Sequence, residues 1–482
     1  MKTQIIWALS LVLTSINVSG QNITEANSEK TQSIINSVLD AYGGREALQN
    51  METLLIESSA TGYAVGQSRA PGPPWDRTER STVSAIDVSN QRFFSRNIDD
   101  PKRARFDQGQ IFTSDSGWQI NYRAGTITPI DNPDFNTRSG PFVRITSTLL
   151  AHQLMQRAHT ATYLGETDYK NKPHDVVSFV MEVGPAISLY VDQSSHLINK
   201  SERFLPAFGL VEYEFRDYRA VNGIMVNHGY TFYFQGDENE IRTHKSVSVN
   251  SSIEDFIKKP KGLKKLGALG PDDMSRQEVA KDAHLIGGNG TYALYVEMDD
   301  HIIAVGGTGG SEERLVLLRE AIPDKPIKYG IFTHHHSDHV LAAPSYARIG
   351  TTLVAHADHE QTVRTAAGEV DDLKIETVSS RRTFGDGSRE VMIVDLGPTE
   401  HAEHIFAAYL PEERILFSAD HFGLQRNGHV FPATGTTRQF AAAMEREGLD
   451  VKKILSAHSP KTATIKHLRK ALSSKPRSKD SF

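Results

Sequence analysis

The run Thr333-His334-His335-His336-Ser337-Asp338-His339 packs four imidazoles and one carboxylate into a single turn of chain. It directly follows IKYGIFT, whose β-branched and aromatic residues read as a strand over Lys328 to Thr333. Two histidines two residues apart at a strand end can point the same way and share one cation, while Asp338 and His339 in the turn reach a second. Imidazole and carboxylate donors suit zinc, which takes three or four of them and needs no redox chemistry; iron and manganese accept the same set. Three further candidates follow in order: His401 in GPTEHAEHIF, Asp420 in ILFSADHF and His458 in ILSAHSP. Each closes or just follows an apolar run, where open α/β sheets carry their sites.

Composition narrows the chemistry. The chain has 482 residues and no cysteine, which removes thiolate metal sites, iron-sulfur clusters, disulfide frameworks and a cysteine nucleophile together. Any metal must therefore sit on His, Asp or Glu. Lys plus Arg number 53 against 59 Asp plus Glu, and a formal charge of -6 over this length argues against a nucleic-acid partner or a basic membrane-binding patch. Of the 20 histidines, 13 lie in residues 301–482, so the metal-binding capacity is concentrated in the last third of the chain.

The elements that must position these residues fall into two rhythms, and the length itself suggests two or three domains. Residues 1–20 have a Lys near the start, an apolar run from Ile5 to Val18 and small residues Ser19 and Gly20, the layout of a secretory signal peptide rather than a membrane span. The expectation is an exported protein, periplasmic or secreted, with no stable membrane insertion once the peptide is removed. Ile34, Ile35, Val38, Leu39 and Tyr42 then recur at helical spacing up to Gly43-Gly44, and a short second helix spans Arg45 to Met51. From Leu54 to Asn250 short alternating strands predominate, with turns at Gly125, Asn222-Gly223 and Gly236-Asp237. The Pro-rich stretch Gly66 to Trp75 reads as an exposed loop. The predicted β-rich domain thus covers 21–255, and a Lys, Gly and Pro-rich linker covers 256–278. From 279 to 482 strands alternate with helices: strands at Thr291 to Met298, His301 to Val305, Lys328 to Thr333 and Thr352 to His356, with a helix at Glu312 to Ile322.

At these residues a resemblance can be named. From about Val279 to Leu472 the chain resembles the metallo-β-lactamase superfamily, matching its His-x-His-x-Asp-His signature at His334, His336, Asp338 and His339. The resemblance implies an α+β protein whose C-terminal domain is an αββα sandwich. It implies a first metal on His334, His336 and His401 and a second on Asp338, His339 and His458, with Asp420 bridging. Two zinc ions would then hold a hydroxide and polarise a carbonyl or phosphoryl oxygen, with no protein nucleophile. Asp338 would also orient the hydroxide, and either a metal-bound water or His404 would protonate the leaving group. His335 is expected to point away from the metals, His356 and His359 to lie at the surface or else support the site from behind, and His421 to be an ordinary residue or else to face the cavity and handle protons. One departure stands out: Gly307-Thr308-Gly309 occupies the place where many members carry Asp-Thr-Gly, so a carboxylate that steadies a metal ligand from behind is missing.

The N-terminal region, from AYGGREALQNMETLLIE to FRDYRAVNGIMV, resembles the lipoprotein-carrier-like half barrel that precedes the hydrolase domain in some exported members. That implies either room for an apolar substrate or lipid, or an accessory domain that only buttresses the catalytic one. The expected function is an exported dinuclear zinc hydrolase acting on a small-molecule ester, lactone or related bond. The rival readings are a mononuclear iron oxygenase of sulfur compounds, a zinc β-lactamase and a non-catalytic lipid-binding protein.

Overall fold

A computed structural model describes residues 22–99, 106–131, 133–205, 209–385 and 389–476. The signal-peptide expectation, residues 1–20, lies outside the described residues. Among those described, no helix is long and apolar enough to cross a membrane.

The helix Ile23–Ala41 starts where the Asn22 side chain accepts the Thr24 amide at 3.0 Å, and it buries Ile34, Ile35, Val38 and Leu39 on one face. It stops at Gly43, which has φ +111° and sits so close to the Gly223 carbonyl that a Cβ would lie 2.3 Å from that oxygen. The short helix Arg45–Gln49 follows. Fourteen strands form one sheet, running from Lys264–Lys265 at one edge to Thr162–Tyr169 at the other. Thr53–Tyr63 pairs with both Arg77–Asp87 and Asp237–Val249, and so joins the early strands to the late ones. Asn222 (φ +50°) and Gly223 (φ +79°) make the left-handed hairpin turn between Gly209–Val221 and Ile224–Phe234.

Two helices interrupt this domain, where the alternating pattern led us to expect strands alone. Phe135–Arg144 is capped by the Asp134 carboxylate accepting the Asn136 amide at 3.0 Å. Ser147–Gln156 is buried from Ser147 through His152 and again at Leu154 and Met155, so it shows no polar face from which a helical period could be read. Both pack with the first helix and the sheet in a single apolar core that includes Val38, Phe93, Phe142, Leu150, Leu189 and Val226.

Residues 256–278, expected as a linker, are held along the sheet over much of their length. Lys264–Lys265 pairs parallel to Thr126–Ile127, and the Lys259 ammonium lies 4.2 Å above the Trp118 ring. The next sheet begins at Ser275.

The C-terminal domain consists of two sheets face to face. One has seven strands in the order Ser275–Ala280, Ala283–Gly288, Thr291–Glu297, Ile302–Val305, Ile327–Ile331, Thr352–His356 and Ile375–Val378. The other has six, from Arg381–Gly385 to Ser459–Thr464. Leu294, Val305, Ile331, Val391, Phe406 and Phe417 interdigitate between them. Helices Ser311–Ala321, Ala343–Arg348 and Glu360–Ala367 cover the outside of the first sheet; Gly435–Arg446 and Ile465–Ser473 cover the second. This is the expected αββα sandwich, preceded by an antiparallel β-rich domain.

Candidate metal centre

The candidate ligands sit in loops at strand ends, all but His401 just past the strand that carries them. His334, His335 and His336 follow Ile327–Ile331, and Asp338 and His339 occupy the single 3-10 turn Ser337–His339. His401 precedes Phe406–Leu410, Asp420 follows Ile415–Phe417, and His458 lies in the hairpin between Lys453–Ser456 and Ser459–Thr464. The structure gathers these seven residues into two groups whose donor atoms lie within 4.8 Å of one another: His334, His336, His401 and Asp420, and then Asp338, His339 and His458.

In the first group His334 Nε2 and His401 Nε2 face each other at 3.0 Å, and Asp420 Oδ2 lies 3.2 Å from His401 Nε2 and 3.9 Å from His334 Nε2. The fourth donor is fixed by its other nitrogen. His336 Nε2–H donates to the Ser68 carbonyl at 3.0 Å, so Nδ1 carries the lone pair, and Nδ1 is buried with no hydrogen-bond partner. In the second group His339 Nε2 lies 3.1 Å from His458 Nε2, 3.0 Å from Asp420 Oδ1 and 3.5 Å from Asp338 Oδ2. His458 Nδ1–H donates to the Gly290 carbonyl at 2.8 Å, which turns Nε2 toward the group. Asp420 thus offers one oxygen to each group.

These spacings suit metal ions. Zinc–nitrogen bonds of ~2.0–2.1 Å in a tetrahedron put neighbouring donors roughly 3.3 Å apart, close to the separations found here. Converging lone pairs and an orphaned buried nitrogen would be costly without a cation to receive them. Burial, and then the neighbouring imidazoles, hold His334 and His336 well below the ordinary histidine value, keeping them neutral as ligands must be. Burial pulls His458 down as well, but the Asp420 carboxylate and the Gly290 carbonyl outweigh it and push the imidazole up to about 9. For Asp420 burial acts upward, yet the surrounding histidines, His339 foremost, hold it well below the usual carboxylate range.

The departure at Gly307 has a steric basis. A Cβ there would lie 2.2 Å from the His339 carbonyl oxygen and 2.4 Å from the Phe332 ring, so no carboxylate fits. Neutral groups steady the ligands instead: the Thr333 hydroxyl lies 3.1 Å from His334 Nδ1 and 3.5 Å from His339 Nδ1, alongside the Ser68 and Gly290 carbonyls already described.

The remaining histidines are placed elsewhere. His335 Nε2–H donates to the same Ser68 carbonyl at 2.9 Å, and its Nδ1 accepts from His359 Nε2 at 3.2 Å, so it turns away from the two groups. Burial pushes His359 down to about 2. His421 stacks on Phe440 with ring centroids 5.1 Å apart, and burial lowers it to about 4. His404 joins neither group. Its Nδ1 bonds Asp395 at 2.7 Å, its Nε2 faces Asp358 at 3.3 Å, and its ring stacks on His356 at 3.7 Å. With His356 and Asp358 it makes a third set of converging donors, but parallel imidazole planes do not aim their lone pairs at one point.

What the sequence did not disclose is the loop Ala64–Asp76 of the β-rich domain, which lies against the histidine turn. Gly66 accepts the Ser337 amide at 2.9 Å, Gln67 Nε2 donates to Asp338 Oδ1 at 2.8 Å, and Arg69 accepts the Glu403 amide at 2.9 Å. The Pro-rich composition marked a loop; nothing in it indicated where the loop docks.

Residues 287–458 match the family described as the metallo-beta-lactamase superfamily, and the C-terminal domain is a domain of that class. Similar solved structures include a metallo-beta-lactamase from Pontibacter korlensis, 19% identical, with 42% of this chain and 98% of that one covered and a TM-score of 0.34. Another is the metallo-beta-lactamase FIM-1 from Pseudomonas aeruginosa in its mono-zinc form, at 17% identity, 42% and 95% coverage and TM-score 0.33. A third is the flavodiiron protein from Giardia intestinalis, at 17% identity, 42% and 58% coverage and TM-score 0.33. No curated protein matches the chain.

Proposed function

We propose that the protein is an exported hydrolase with a dinuclear zinc centre, and that it cleaves esters, lactones or related acyl bonds. The observation that carries the reading is Asp420, whose two oxygens each face a separate group of histidines. One metal would need only one of those groups, so the convergence of Asp338, His339 and His458 favours two over the mononuclear oxygenase reading. When bound, such cations would supply a water of lowered pKa and polarise the substrate's carbonyl.

The chain's own residues do the rest. Asp338, with its side chain 37% exposed, presents Oδ2 to the centre while Oδ1 is held by Gln67, which suits it to orient the attacking water. For the leaving group, Asp338 is better placed than His404, since both His404 nitrogens already face carboxylates. Ester and lactone substrates rank ahead of β-lactams because a bridging carboxylate adds negative charge between the cations and holds both in place. The case for an apolar substrate in the β-rich domain is weaker. Its own helices pack on one face of its sheet, and a cavity of about 390 Å³ beside them is lined mainly by polar residues, among them Asn97, Gln108, Gln110, Gln119 and Arg138, with Arg426 of the C-terminal domain.

The test is turnover of aryl esters, acylated lactones, phosphodiesters and cephalosporins by the zinc-loaded protein, with Asp420→Ala as control. Acyl-ester hydrolysis abolished by Asp420→Ala is the expected result. Hydrolysis of cephalosporins alone, unaffected by that substitution, would overturn both the ranking and the role of Asp420.

A further inference from the structure

The loop Ala64–Asp76 closes on itself before it meets the metal centre. Ser68 Oγ donates to the Ala64 carbonyl at 2.9 Å and accepts the Asp76 amide at 2.8 Å, while Asp76 Oδ2 accepts the Arg69 amide at 2.9 Å. Its position on the C-terminal domain is equally determined, since Arg69 Nε donates to the Thr399 carbonyl at 2.9 Å, two residues before His401. A loop tied down at both ends presents its middle residues in one arrangement.

In that arrangement Gln67 sends its amide nitrogen to Asp338 Oδ1 at 2.8 Å and to Ser337 Oγ at 3.2 Å. That hydrogen bond engages Oδ1 and leaves the other carboxylate oxygen free of Gln67. That oxygen, Oδ2, is the one lying 3.5 Å from His339 Nε2 and 3.7 Å from His458 Nε2. We infer that Gln67, a residue of the β-rich domain, is a positioning residue for the second metal position, acting through Asp338 and not on the first position. The inference rests on the two-metal reading above. It also gives the accessory domain a part in the centre beyond buttressing.

Gln67 is exposed, so its substitution leaves the core untouched. Gln67→Met keeps most of the side-chain volume and removes the donor. Equilibrium dialysis with cobalt(II), followed by the visible absorption of the bound ion, reads each site without reference to turnover. The full chain should take up two ions. Gln67→Met should weaken the second by roughly tenfold or more, the usual cost of losing a ligand's outer partner, and alter the spectrum of that step alone. Gly72→Ala, in the same loop, should behave as wild type, because a Cβ there meets nothing within 4 Å. Two ions bound by Gln67→Met with wild-type affinities and spectra, or equal weakening of both, overturns the role given to Gln67. A wild-type protein that saturates with one ion instead overturns the two-metal reading, and the inference with it.

Discussion

At the residue scale, the two groups make separable predictions about metal loading. His336→Ala removes a buried Nδ1 that serves the first group alone, so it should cost that site at least the ~10- to 100-fold expected for losing even an outer partner, and spare the second. His458→Ala should do the reverse, and Asp420→Ala should weaken both. Zinc content after dialysis against graded chelator checks all three, and equal effects of His336→Ala and His458→Ala would contradict the grouping. A second residue-scale prediction concerns His244, buried with its ring edge-on to Tyr230 at 6.4 Å. Burial, and then Arg242, lower its imidazole from 6.5 to about 4. The native state therefore refuses a proton that the unfolded chain accepts. The stability this contributes is fully present above pH 6.5 and is lost as the pH falls toward 4. Urea midpoints at pH 7 and pH 5 should accordingly differ less in His244→Phe than in wild type; identical differences would refute the assignment.

At the scale of elements, the turn after Ile302–Val305 sets what the centre can use. Restoring the family's carboxylate with Gly307→Asp should not strengthen metal binding. It should destabilise the fold toward the upper end of the ~1–3 kcal/mol typical of overpacking, because the new side chain meets the His339 backbone. A melting temperature and zinc affinity equal to wild type would show that the turn can open. This departure was visible in the sequence; its cause was not, since a contact between Gly307 and His339 depends on packing between segments far apart in the chain. Other elements divide the same way. Thr352–His356 was legible to the residue because β-branched residues ended at a histidine, and the first helix because Gly43-Gly44 stops it. The helix Ser147–Gln156 was missed because a helix buried all round has no periodic signal. The convergence of the seven candidate ligands was legible because their types and order carry the information. The carbonyls that fix their tautomers, from Ser68 and Gly290, were not, since any residue type supplies one.

At the scale of the molecule, the two domains share the centre, and tryptophan offers a way to observe it. The chain has 3 Trp, none beyond residue 118, so Trp75 is the one carried by the docked loop. In a Trp118→Phe background its emission should change in step with metal uptake by the C-terminal domain. An unchanged spectrum across a titration that fills the sites would mean that loop and centre are uncoupled. The Ser68 carbonyl has one further consequence. It is a backbone atom, so no side-chain replacement at Ser68 deletes it, and the centre should tolerate much compositional drift in the loop. Length is another matter. Adjacent Cα atoms are ~3.8 Å apart, more than the 3.0 Å that separates this carbonyl from His336 Nε2. Removing one residue between Ala64 and Ser68 would move the carbonyl out of reach and free His336 to take the wrong tautomer. What natural variation or engineering must preserve in this segment is therefore the count of residues more than their identity.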